Sequence, residues 1–424
     1  MNPTNRLPLQ GIKVLDLTRV LAGPFGSMIL ADYGADVIKV EKPGQGDDTR
    51  TWGPPYVEDQ SAYFLSINRN KQSIAVDMSR KQGQTIIREL ARKSDIVMEN
   101  YLPGQLKKFG LEYKDLQLIN DRLIYCSITG YGSQGPYSRR PGYDLIIQAL
   151  GGMMSITGSS EPVKVGVAVV DIATGLSSVG AITAALYQRE KTATGLSSVG
   201  AITAALYQRE KTGKGTKIEC SLLETQLSLL SHIAANYLNA GWEAQRHGTA
   251  HASIVPYQAF ICQDGERIIV GAANDQFFHE LCAVVNLPEL TTDDLFKTNK
   301  LRVTNRKSLI SILSKKFLEK PLAEWIELFQ KANQIPYGPI NDMKGVFENE
   351  QVTFLKQVLE MKNPNRTKPV RIVGPSVNFE NIEKSTMLRR AAPLLGEHTR
   401  SILQTELGYT NENIDKLIQD KIIQ

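Results

Sequence analysis

Residues 11–50, GIKVLDLTRVLAGPFGSMILADYGADVIKVEKPGQGDDTR, decide the fold. The opening run IKVLDL (Ile12–Leu17) has the length and apolar bulk of a buried strand. Pro24 then opens a helix, where its missing N–H costs nothing, and the helix ends near Gly34. DVIKVE (Asp36–Glu41) follows as a second strand. The alternation continues outward with SIAVDM (Ser73–Met78), a helix from Ser79 to about Lys93, DIVMEN (Asp95–Asn100) and LIYCSITGY (Leu123–Tyr131). Short apolar runs alternating with helices predict an α/β, Rossmann-like large domain whose mostly parallel sheet is covered on both faces. Ligands of such sheets bind at the carboxyl ends of the strands.

At 424 residues the chain exceeds what one hydrophobic core usually supports, so a second domain is expected. From about Arg246 the texture changes. YQAFICQ and RIIVGA flank Asp264-Gly265, a hairpin signal, and helical segments follow near Asn274–Val285, Asn305–Phe317 and Ala323–Ala332. The reading is a large domain beginning with residues 1–225 and a smaller α+β domain over 246–335. Residues 345–424, with the β stretch PVRIVGP and two terminal helices, return to the large domain. No long linker separates the pieces, so they are expected to pack.

Apolar residues make up 42% of the chain and charged residues 22%, the balance of a globular protein rather than a disordered one. No window approaches the roughly 18 uninterrupted apolar residues of a membrane span. A net charge of +5 without a basic block argues against nucleic-acid binding, although it suits a polyanionic small molecule. Cys126, Cys220, Cys262 and Cys282 are widely spaced beside apolar runs, which predicts buried thiols in a reducing compartment. The five histidines form no ligand cluster, so no metal is expected. MNPTNRLPLQ contains neither a secretory h-region nor an Arg-rich amphipathic helix. The expected compartment is the mitochondrial matrix for a eukaryotic source and the cytoplasm for a bacterial one.

Ala173–Thr192, ATGLSSVGAITAALYQREKT, recurs without a change as Ala193–Thr212. Stacked-repeat architectures share patterns rather than identical strings, so this is a duplication and not an array. A close-packed helix slot has room for one copy. Asp171-Ile172 runs directly into Ala173, so copy one is expected to fill the slot and Ala193–Thr212 to be extruded.

The common catalytic signatures are missing: there is no GxxxxGK[ST], no GxSxG, no HExxH and no paired CxxC. Asp47-Asp48 in GQGDDTR reads as a solvated loop, with a paired-carboxylate site as the alternative. Asn68-Arg69-Asn70-Lys71 places two cations beside a strand start. Asp171 ends the β run VGVAVV (Val165–Val170) and stands just before Thr174-Gly175, where a Gly- and Ala-rich helix begins. That spacing fits a capping or solvated aspartate as well as a crevice carboxylate.

A sequence resemblance extends these readings. The chain resembles the family III CoA-transferases, the CaiB–BaiF family, over nearly its whole length. The opening segment carries the likeness, followed in order by NRNKQSIAVDM, ENYLPGQLKKFGL, SITGYGSQGPYSRRPGYD, KTGKGTKIECSLLE, IPYGPINDM and PLLGEHT. RHGTAHASIVPYQAF and TNKLRVTNRK look particularly like members that exchange CoA between succinate and glutarate. The resemblance implies that Asp171 is the nucleophile, forming an aspartyl-CoA thioester. It implies CoA contacts at Leu21, Ala22, Lys42, Asn68, Lys71, Asn100, Tyr101, Lys108, Tyr143 and Asp144. CoA thioesters would serve as substrates, with no permanently bound cofactor, and the subunits would form an interlocked homodimer.

Two departures from family patterns narrow the substrate. Leu21 replaces the Gln of formyl-CoA transferases, which weighs against formyl or oxalyl groups. Tyr143 stands where racemases of the family carry a catalytic His, and a phenol does not titrate near neutrality. A dicarboxylic acceptor needs donors for its distal carboxylate, and Arg246, His247 and His251 are the candidates from a loop that the resemblance implies lies over the site. The alternatives are a transferase for another carboxylic acid and a catalytically impaired CoA-binding protein, since the duplication directly follows Asp171.

Overall fold

The computed structural model describes residues 7–190, 214–332, 335–365, 367–379 and 382–424. Its elements fall into two compact units. The first comprises Met1–Gly151, Gly166–Ala235 and Phe354–Gln424; the second comprises Gly152–Val165 and Asn236–Thr353. Against the boundaries read from sequence, the second unit also takes in Gly152–Val165, and it runs on to Thr353.

The first unit begins with β1 (Lys13–Asp16), α1 (Ala22–Asp32) and β2 (Asp36–Glu41), followed by β3 (Lys71–Ala75), α2 (Lys81–Arg92), β4 (Ile96–Glu99) and β5 (Ile124–Thr129). Then come α3 (Asp144–Leu150), α4 (Val169–Glu190), β6 (Lys217–Ser221) and α5 (Leu222–Leu229). The sheet order is β3-β2-β1-β4-β5-β6 and every pairing is parallel, with Val14 opposite both Val37 and Ile96. Alternate strand residues face opposite layers. Val14, Val37, Ile96, Met98 and Ile124 pack against α1 and α4, through Leu30, Ala31 and Ile182. On the other face Leu15, Ile74, Val97 and Tyr125 meet Ile86, Ile87 and Leu90 of α2. Both faces are covered, which is why the middles of the strands are mostly apolar, with Lys39 of β2 and Lys71 of β3 as buried exceptions.

The run Val165–Val170 is not a strand. Val169 and Val170 start α4, and the residues before them pair with no strand. β-Branched residues favour a strand only where a neighbouring edge exists. Here Asp144 Oδ1 instead accepts the N–H groups of Val170 at 2.8 Å and Asp171 at 3.3 Å, which caps a helix. Copy one of the duplication therefore continues α4, burying Val179, Ile182, Ala185 and Leu186. α1 and α4 approach closely because the crossing carries glycines. A Cβ on Gly175 would stand 2.7 Å from the Ala22 carbonyl oxygen, and one on Gly26 would stand 2.9 Å from Ser178 Oγ. Val169–Tyr187 is long and apolar enough to pass for a membrane span, but half of it is buried inside this unit as a core helix. The expected extrusion of Ala193–Thr212 lies outside the described residues.

The second unit is built on β7 (Tyr257–Ile261), β8 (Arg267–Gly271), α6 (Asp275–Val284), α7 (Arg306–Phe317), α8 (Leu322–Ala332) and β9 (Tyr337–Pro339). Its antiparallel sheet runs β9-β8-β7, with the β7–β8 hairpin turning at Gly265, φ +84°. Phe260 stacks on Phe317 at 4.6 Å, and Trp325 donates its indole N–H to the Phe317 carbonyl. The chain then returns to the first unit with β10 (Val358–Met361) paired to β11 (Val370–Val373), and with α9 (Thr399–Thr405) and α10 (Asn411–Gln419).

Candidate active site

Two cavities open at the carboxyl ends of β1, β2 and β4. One, of about 270 Å³, is walled by Val20, Leu21 and Ala22 at the start of α1, by Asn100 and Tyr101 after β4, and by Tyr143 and Asp171. The other, of about 380 Å³, is lined by Lys42 after β2, by Val76, Asp77, Met78 and Ser79 after β3, and by Lys108. Arg19, Tyr101 and Gln105 belong to both walls, so the two form one branched groove.

Asp171 lies in the first turn of α4. Burial pushes its carboxyl up, and the neighbouring Asp144 carboxylate adds to the effect, so that it titrates at about 7. A helix N-terminus ordinarily favours a carboxylate. Here the N–H groups of Val170 and Asp171 are already taken by Asp144. Asp144 is itself buried and bonded to Gln148, so it holds the helix and does not line either cavity. Its expected CoA contact is replaced by a positioning role. Tyr143, more than half exposed, does line the Asp171 cavity.

Lys71 and Asn68 depart from expectation most sharply. Lys71 is fully buried, with its ammonium 3.1 Å from Asp16, 2.9 Å from the Pro24 carbonyl and 2.8 Å from Asn68 Oδ1. Asn68 is also fully buried and donates to the Phe64 carbonyl. Neither can reach a ligand, because each is consumed by a network below the loop. The adjacent groove wall is formed instead by residues 76–79, beyond the end of β3. Lys42 and Lys108 remain suited to an anion. Lys42 meets only the amide oxygen of Gln45, Lys108 lies over Phe109, and neither has a carboxylate partner among the described residues. Asn100 spends its amide on both the N–H and the carbonyl of Arg19, at 2.9 and 2.7 Å.

Asp47 is no solvated loop residue: it is buried and ion-paired to Lys39 at 2.8 Å, while Asp48 pairs with Arg19 at 3.3 Å. Arg19 carries no signal in sequence, set between Thr18 and the apolar run Val20–Ala22, yet it stands at the junction of the cavities with its guanidinium over the Tyr101 ring. In the second unit, Arg246 donates through both terminal nitrogens to the carbonyls of Ser155 and Ser160, so it staples a loop and is not free for an acid. His251 accepts from the Ser253 N–H and packs edge-on against Tyr257. His247 is exposed.

The model of CoA-transferase family III matches residues 9–197 and again 192–399, and the two matches meet at the junction of the duplicated segments. The human succinyl-CoA:glutarate CoA-transferase is 49% identical over 421 residues, covering 99% of this chain and 90% of that protein. The succinate–glutarate CoA-transferase of Agrobacterium fabrum is 38% identical over 411 residues, covering 95% and 96%. Among solved structures, a CAIB/BAIF family protein from Brucella suis superimposes with a TM-score of 0.79 at 38% identity, covering 95% of this chain and all of that one.

Proposed function

The chain belongs to CoA-transferase family III, and on that premise we propose that it moves CoA from succinyl-CoA to a dicarboxylic acid, glutarate, through a thioester on Asp171. The observation that carries this reading is the partly buried Asp171 carboxyl, pushed up to about 7 on the wall of a cavity that opens into a groove bearing Lys42 and Lys108. A carboxylate raised in this way is poorly stabilised and therefore more nucleophilic. It adds to the thioester carbonyl and expels CoA thiolate, leaving a mixed anhydride. The thiolate attacks the Asp171 carbonyl of that anhydride and releases succinate, leaving aspartyl-CoA. The acceptor carboxylate attacks this thioester and expels the thiolate again. Thiolate attack on the acceptor carbonyl then yields the new acyl-CoA and restores the Asp171 carboxylate. Every intermediate stays activated, so no other energy source is needed as long as water is kept out.

Lys42 and Lys108 supply charge for the CoA phosphates, and the end-of-strand loops bearing Asn100, Tyr101 and Tyr143 frame the thioester arm. An interlocked homodimer is the assembly that family membership implies. The test is incubation with succinyl-CoA and a panel of acids. Glutarate should react faster than butyrate, because the monoacid would leave the donors for the distal carboxylate unpaired. Equal rates would remove the dicarboxylate assignment, and no exchange with any acid would leave a CoA-binding protein impaired by its duplication.

A further inference from the structure

Beside the Asp171 cavity lies a set of buried charges, of which Lys39 and Asp47 line the adjoining cavity. Lys39 is fully buried; its ammonium pairs with Asp47 and donates to the Thr18 carbonyl, both at 2.8 Å. Asp47 Oδ1 in turn accepts from the Val20 N–H at 3.2 Å and from the N–H and hydroxyl of Thr49. Asp16 receives the Thr18 N–H, and its partner Lys71 donates to the Pro24 carbonyl.

These groups grip a segment that would not otherwise keep its shape. Val20 has φ +71°, and a β-branched side chain in the left-handed region is sterically costly. Such a conformation persists only where its surroundings over-determine it. Thr18, Arg19, Val20 and Pro24 are each held by a side chain from another part of the unit, namely Lys39, Asn100, Asp47 and Lys71. The N–H groups of Leu21 and Ala22 are left out of the grip. They have no hydrogen-bond partner among the described residues, and both residues wall the cavity that holds Asp171.

We infer that Asp47, backed by Lys39, is a positioning residue that keeps Val20 left-handed and so presents the Leu21 and Ala22 N–H groups to the reacting carbonyl. The inference rests on Asp171 being the nucleophile. When the Asp171 carboxylate adds to a thioester, the carbonyl π pair moves onto oxygen, and two fixed N–H donors stabilise that oxyanion until it collapses and expels the thiolate.

Glycine at position 20 is the key to the test, because it occupies the left-handed region without steric cost. Lys39→Met/Asp47→Leu removes the Val20 acceptor without stranding a buried charge. It should lower kcat at least about 30-fold while KM for succinyl-CoA stays within about threefold, as expected for a donor felt mainly in the transition state. Adding Val20→Gly should restore at least about tenfold of kcat. Lys39→Met/Asp47→Asn keeps the acceptor oxygen, so it should stay within about fivefold of the parent and gain nothing from glycine. No deficit in the Leu pair, or one that glycine leaves untouched, overturns the inference. If the Leu pair fails to fold, a large deficit in the Asn pair that is indifferent to glycine overturns it equally. Asp171→Ala, run alongside, separates the two readings. Exchange by that variant defeats the nucleophile, whereas a dead variant without glycine rescue defeats only the role of Asp47.

Discussion

Asp16, fully buried, and Asp171, partly buried, are carboxyls of the same α/β unit, and loss of solvent pushes both upward. At Asp16 the ammonium groups of Lys71 and Lys39, with hydrogen bonds from Ser27 and Thr18, more than reverse that push and hold it well below the usual carboxylate range. At Asp171 no cation answers burial; the next influence is another carboxylate, Asp144, and the group rises to about 7. Burial therefore does not by itself set where a carboxyl titrates. The partner decides the outcome, and of these two carboxyls the one without a cation opens onto a cavity.

The largest expected effect is at Asp171. Asp171→Asn should lower exchange by at least about 10⁴-fold, the scale on which losing a covalent nucleophile registers. The same change should stabilise the protein at pH 8. A carboxyl whose folded value is raised makes the native state take up protons more readily, so stability falls as pH climbs from about 4 through about 7. Removing the charge should return on the order of 2–4 kcal/mol at pH 8 and nothing near pH 4. Thermal melts at the two pH values, beside a CoA-exchange assay, check both halves. A lower melting point at pH 8 would mean that Asp171 is paired after all.

Asp16→Asn should act in the opposite sense. It strands Lys71 in the interior and should cost about 3–5 kcal/mol in denaturant unfolding at pH 7. The folded value of Asp16 is depressed, so its stabilisation is fully present above its ordinary value and is lost as pH falls below that value. The penalty of the Asn variant should therefore shrink on acidification. Wild-type unfolding at pH 7 would break the comparison.

The difference between these two sites also marks where sequence reading stops. The strands were legible because a sheet covered on both faces demands short, uniformly apolar runs, as at Val14–Leu15 and Val37–Ile38. Asp171 became a candidate from its place before a Gly- and Ala-rich helix and from family likeness. Its surroundings were not legible: the cap from Asp144 crosses 26 residues, and without it Val165–Val170 reads as a strand. Lys71 reads as a solvated cation from its neighbours and as a CoA contact from family likeness, because its partner lies 55 residues earlier. Asp47 reads as solvated because nothing local announces that Lys39, which faces inward from β2, will meet it. Local composition reveals elements, whereas the pairing of buried charges is decided by which strands become neighbours.

The lysines extend the comparison to binding. Lys42→Ala and Lys108→Ala should each weaken CoA binding about fivefold, an effect that fades at high salt because both groups are solvated. Lys71→Met should leave CoA affinity unchanged and lower stability, since its ammonium serves Asp16 and the Pro24 carbonyl. Calorimetric titration with CoA at low and high salt separates these outcomes. A Lys71 variant that folds normally but binds CoA poorly would return Lys71 to the groove.

The smallest effect tests the second cause at Asp171. If the carboxylate form attacks, kcat/KM should rise with pH through about 7, because the protonated acid has no nucleophilic pair to offer. Asp144→Asn removes the neighbouring charge while its side-chain oxygen can still accept from the N–H groups of Val170 and Asp171, so the start of α4 should stay in place. Burial is the larger cause and is untouched, so the acid limb should move down by only roughly 0.5–1 unit. At pH 6 more Asp171 would then be ionised, and the rate relative to the high-pH plateau should increase about three- to fivefold, as a shift of that size requires. Asp144→Ala, which also loses the cap, should lower the plateau itself. An inflection that stays where it was in Asp144→Asn would show that burial alone sets the Asp171 carboxyl. One that moved upward would mean that Asp144 had been supplying a proton to Asp171 rather than a charge.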